Sequence, residues 1–257
     1  MEVRKEKDSS RMNETLETNE RNQAAVRVMD SKERTKRLTT IAMLSAVAYI
    51  LMVLSHSIPA VEGFLRYDPA DIVTVIGGLI FGPMTALLIS VVVSFAEFLT
   101  ISNTGIIGLL MNVLSTMSFA CVAAFIYKRK KTMNNAIFAL AAGVVAMTII
   151  MLLWNYIITP LYMPSISRAQ VMGMLIPIFL PFNLLKGTIN ATITLLLYKP
   201  LVTALRRSRL ISAASVGGAQ NAAVSGQKGI FKKSTMIPVA VVLITCLMLL
   251  LAWADVI

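Results

Sequence analysis

Apolar residues along this chain gather into recurring runs of near-membrane length, separated by short polar or charged stretches. A helix rising about 1.5 Å per residue needs roughly 20 residues to cross ~30 Å of hydrocarbon. The bilayer interior offers the backbone no hydrogen-bond partners, so each run must be helical. The first extends from Leu38 to Leu54, and a longer one from Asp71 to Ile101 is interrupted by Phe81-Gly82-Pro83. Proline stops a preceding helix sterically. The long run is therefore read as a short second helix over 69–81 and a third over 83–101. A fourth follows from Ile106 to Tyr127, a fifth over about 134–160 and a sixth over about 178–204. The expected fold is all-α, a polytopic six-helix membrane bundle.

Charge placement supports that count. Of 257 residues, 56% are hydrophobic and 14% charged, and the net charge is +11. Soluble domains carry about a quarter charged residues. Residues 1–38 hold ten Lys/Arg and eight Asp/Glu, a nearly balanced set. The basic residues beyond them cluster beside apolar runs, at Lys128–Lys131, at Arg206, Arg207 and Arg209, and at Lys232-Lys233. Six crossings, with the second and third split at Gly82-Pro83, put these clusters on one side with Lys36-Arg37. By the positive-inside rule that side is the cytoplasm. Arg66 and Arg168 are exceptions in outer loops, while Glu62, Asp68, Asp71, Glu97 and Asp255 all fall on the outer side. A nucleic-acid groove would interleave aromatics on a folded basic face, and none is present.

The remaining segments complete the expected organisation: a polar, disordered cytoplasmic tail over 1–35, a membrane domain over 36–209, a flexible Ala/Ser/Gly-rich linker over 210–235, and a seventh, C-terminal transmembrane helix over 236–254 that leaves the C-terminus outside.

Candidate chemistry is sparse. One histidine, His56, and two cysteines, Cys121 and Cys246, exclude a His/Cys zinc site, so no metal and no catalytic group is expected. Phosphate loops, nucleophile elbows and HExxH motifs are missing, so the chain is read as no enzyme. Lys186 is the only basic residue well inside a helix, and a cation there needs a partner or a wet cavity. Asn183, Lys186, Gly187 and Asn190 recur at three and four residues, which puts them on one face. That face is either a binding surface or a snorkelling lysine with asparagines that join helices. Asn112 and Asn155 are two more buried amides with the same two readings. Glu97 either pairs with Lys186 or meets water. In the first helix Ala42 and Ala46 form a small-xxx-small pair, which lets another helix approach closely.

Four blocks, FLRYDPADIVTVIGGLIFGP (64–83), GLLMNVLST (108–116), WNYIITPLYM (154–163) and LPFNLLKGTINATITLLLYKPL (180–201), resemble one family. They are similar to the riboflavin-specific S component of energy-coupling factor (ECF) transporters, over roughly 36–205. The resemblance implies a six-helix subunit that binds riboflavin near its outer face as transported ligand, without a cofactor. It implies work beside a shared membrane subunit and two ATPases in the lipid bilayer. Carried over position by position, it implies ligand contacts at Asp68, Asn112, Asn155, Asn183 and Lys186, and partner docking at Ala42 and Ala46. The charged tail and the seventh helix lie outside the family pattern. Competing readings are an S component for another vitamin and a stand-alone secondary carrier, for which Glu97 is the one candidate coupling carboxylate.

Overall fold

The structure is a computed structural model and describes residues 31–57, 65–102, 105–162 and 166–208. The chain divides into two compact units, residues 1–40 and 41–257. Of the first, the described part is helical from Ser31, with Thr35 and Thr39 hydroxyls each donating to the carbonyl four residues back. Residues 1–30 of the expected tail, the linker expected over 210–235 and the apolar run expected as a seventh helix over 236–254 lie outside the described residues.

The second unit is an all-α bundle. Its helices are α1 (Ser31–Ser55, of which residues from Ile41 on belong here), α2 (Ala70–Phe81), α3 (Pro83–Thr100), α4 (Gly105–Arg129), α5 (Met133–Tyr162), α6 (Arg168–Met174) and α7 (Leu180–Arg207). Among the described residues, five helical stretches are long and apolar enough to cross a membrane, with α6 and α7 forming one continuous span; α2 is a shorter apolar helix.

The break between α2 and α3 falls where the sequence places it. Gly82 closes α2 by donating its N–H to the Gly78 carbonyl at 2.7 Å, and Pro83 opens α3 at the position where its missing donor costs nothing. Gly82 has φ 100°, which a Cβ would strain. At 12 residues α2 is about 18 Å long, too short to span the bilayer alone. Every residue from Ala70 to Ile80 is buried, against α3, α4 and α7 among others. Ile41, Leu44, Ala48 and Met52 of α1 join Val73 of α2 and Ile89 and Val93 of α3 in one apolar cluster. A second cluster joins Val75 and Leu79 to Phe119, Ala123, Leu140 and Met147 of α4 and α5.

The sixth span corrects one expectation. Arg168 is not a loop residue, because helix begins there rather than near 178. Ser167 and Gln170 form a capping box, Ser167 Oγ accepting from Gln170 N–H and Gln170 Oε1 from Ser167 N–H. A π-helical turn over Leu175–Phe179 then joins α6 to α7, with Leu180 N–H donating to the Leu175 carbonyl. Pro177 and Pro181 each lack a donor, and the wider turn accommodates their rings within a continuous helical path.

Candidate functional site

Lys186 is 8% exposed, in the upper part of α7, and its cation is compensated from α2. Nζ lies 3.2 Å from Asp71 Oδ2 and 3.5 Å from Ser115 Oγ of α4. Asp71 is fully buried and saturated: Thr116 Oγ1 donates to Oδ1 at 2.6 Å, and Asn190 Nδ2 reaches Oδ2 at 3.3 Å. The same Asn190 amide donates to the Asp68 carbonyl at 2.9 Å, tying the segment before α2 to α7. A buried ion pair of this kind persists only when hydrogen bonds support it, and Ser115, Thr116 and Asn190 each supply one.

Asp71 lies in the first turn of α2, within the second helix expected over 69–81. The partner of Lys186 differs from expectation: Asp71 takes the place considered for Glu97, whose Oε2 instead accepts from Asn112 Nδ2 at 2.6 Å.

Lys186 also lines a small cavity, about 80 Å³ in volume. Its polar lining is Arg66, Asn112, Ser115, Asn183 and Lys186; Ile107, Met111, Met151 and Phe182 supply apolar walls. Three of the five expected ligand residues, Asn112, Asn183 and Lys186, therefore meet at one cavity. Asn183 donates to the Phe179 carbonyl at 2.8 Å.

The other two sit differently. Asn155 is wholly buried in α5, donating to the Met151 carbonyl at 2.7 Å while its Oδ1 accepts from Thr159. Asp68 accepts from Ala70 N–H at 2.9 Å, capping the start of α2. Its carboxyl is pushed up to about 7 by dehydration first and the Asp71 carboxylate second, against the lowering pull of Lys186 and the Ala70 N–H. Neither residue is among those lining the cavity. Arg66, read from sequence as an outer-loop exception, does line it and donates to the His56 carbonyl at 3.3 Å. Its charge next to an aromatic-rich, acid-rich segment was the available signal.

Ala42 and Ala46 both lie on the exposed face of α1, beside Met43, Val47 and Ile50, while Leu44, Ser45 and Ala48 turn inward.

Comparison with known proteins places this architecture. Residues 36–198 match the family model described as ECF transporter, substrate-specific component. A riboflavin transporter RibU of Staphylococcus aureus is 31% identical over 180 residues, covering 68% of this chain and 95% of the relative. The riboflavin transporter FmnP of Bacillus subtilis is 27% identical over 184 residues, covering 68% and 97%. The solved S component of a bacterial ECF transporter superposes with a TM-score of 0.57 at 31% identity, over 67% of this chain and 98% of that one. The chain belongs to the substrate-specific components of ECF transporters, membrane proteins that bind a substrate and are not enzymes.

Proposed function

We propose that this subunit binds riboflavin in the cavity bounded by Asn112, Asn183 and Lys186, and mediates its uptake. Family membership brings association with an ECF transmembrane subunit and ATPase subunits. The observation that carries the ligand assignment is the convergence of those three side chains on a cavity with apolar walls. The isoalloxazine ring is flat and largely apolar, with carbonyls and ring nitrogens along one edge. Methionines and Phe182 suit its faces; two carboxamides and an ammonium suit that edge. Because Asp71 already neutralises Lys186, that lysine does not demand an anionic ligand. The relatives' naming as riboflavin transporters supports the same choice. Asp68 and Asn155 act as supports of this site, through α2 and α5 respectively.

In the membrane, the positive-inside reading puts the end of the bundle that carries Lys128–Lys131 in the cytoplasm and the cavity toward the outside. The N-terminus is then cytoplasmic, and a seventh crossing at 236–254 would leave the C-terminus outside. Ala42 and Ala46 are the docking face for the transmembrane subunit.

The test is titration of the purified protein by quenching of riboflavin fluorescence. Saturable binding to the native chain is expected; Asn183→Leu, and Lys186→Met made together with Asp71→Asn so that no buried charge is left unpaired, should each weaken it by about 1–3 kcal/mol. Quenching by thiamine or biotin competition, or no quenching at all, would assign the cavity to another ligand.

A further inference from the structure

The orientation of the cavity carboxamides is dictated by the groups behind them. Asn112 places Nδ2 2.6 Å from Glu97 Oε2. Oε2 accepts, so the amide turns its NH₂ toward Glu97 and its carbonyl oxygen elsewhere. The short separation is that of a strong hydrogen bond. Asn183 is fixed by the same logic, since its NH₂ donates to the Phe179 carbonyl at 2.8 Å. Among the described residues, neither Oδ1 has a protein donor, and neither is a buried orphan. Both residues line the cavity. A carboxamide free to rotate offers a ligand either a donor or an acceptor; a fixed one offers its acceptor in one place.

We propose that Glu97 is a specificity-determining residue: by holding the Asn112 amide, it makes this wall of the cavity present a carbonyl oxygen that requires a hydrogen-bond donor on the ligand. Glu97 does not itself line the cavity and acts through Asn112 as a positioning residue. The inference deepens the riboflavin reading and rests on it. Riboflavin has donors of two kinds, one imide N–H on the ring and the hydroxyls of the ribityl chain.

The experiment compares three fluorescent ligands by quenching titration of the purified full chain. These are riboflavin, N3-methylriboflavin, which lacks the ring donor, and lumiflavin, which lacks the ribityl hydroxyls. In the native protein at least one analogue binds weaker than riboflavin by about tenfold or more. Glu97→Met releases the amide and narrows that gap by about threefold or more, because the loosened amide loses riboflavin's advantage. Glu97→Gln, whose own amide can turn either end toward Asn112, also narrows the gap, by less than Glu97→Met. Where Glu97→Met does not fold, Asn112→Leu removes the carbonyl itself and closes the same gap. A Glu97→Met protein that weakens all three ligands by one common factor, or none of them, overturns the proposal. So do native affinities equal for all three, or a gap that survives Asn112→Leu. If the native chain binds no flavin, the ligand assignment itself falls, and this proposal with it.

Discussion

An ammonium surrounded by helices survives only beside a counter-charge, and Lys186 finds its own on Asp71. Asp71→Ala is therefore expected to destabilise the folded protein by about 3–5 kcal/mol, because it leaves a buried cation uncompensated. Adding Lys186→Met should recover part of that loss, as an apolar pair of similar volume is tolerated. Thermal unfolding in detergent reads both, and a double variant no more stable than Asp71→Ala would contradict the pairing. Asp68 gives a pH signature. Its carboxyl ionises near 3.8 in the unfolded chain and is pushed up to about 7 when folded. Between those values the folded state holds a proton that the unfolded state has released, so stability falls as pH rises, and it levels off above about 7. Asp68→Asn should flatten that slope in melting temperatures taken from pH 4 to 7. The sequence displayed Lys186 and its face plainly, since a lone charge in an apolar run stands out and Asn183 and Asn190 recur at helical spacing. It hid the role of Asp71. An acid at the edge of a helix looks identical whether it meets water or a lysine, and Asn190, its other partner on α7, is 119 residues away.

Helix boundaries were legible where backbone chemistry marks them. Gly82-Pro83 ends one helix and starts the next, and a single residue between α2 and α3 is what those two residues permit. The helical start at Arg168 was not read, because two prolines and a polar approach resemble a loop. The signal that would have found it is the Ser167-x-x-Gln170 capping pattern. Close approach between α4 and α5 rests on Gly143, where a Cβ would lie 2.8 Å from the Phe119 carbonyl and 2.9 Å from Phe119 Cδ2. Backbone cannot give way as a side-chain tip can. Gly143→Ala should force these helices apart and destabilise the protein by about 1–3 kcal/mol, while Gly173→Ala, with open space around it, serves as the control in the same unfolding assay.

At the level of the molecule, the count of crossings makes two predictions. A cysteine replacing Ser102 should react with an impermeant reagent from outside, and one replacing Thr132 only after permeabilisation; the reverse result would invert the orientation. Ala42→Leu with Ala46→Leu thickens the exposed face of α1 without entering the bundle. Transport by the assembled complex should be lost while riboflavin binding by the isolated subunit is kept, because bulk there blocks close helix approach. Uptake at the native rate would remove this face from docking. The shortness of α2 also bears on how the chain is made. It is too short to span alone, and its Asp71 has no counter-ion until α7 exists. At about 5–20 residues per second, the 119 residues from Asp71 to Asn190 take roughly 6–24 s to translate. Throughout that interval a lipid-immersed α2 would carry an unmatched acid, so α2 is best held at the water–lipid boundary or against α3 during synthesis. Its final seat is then taken last, and the cavity beside Lys186 closes with the arrival of the sixth crossing.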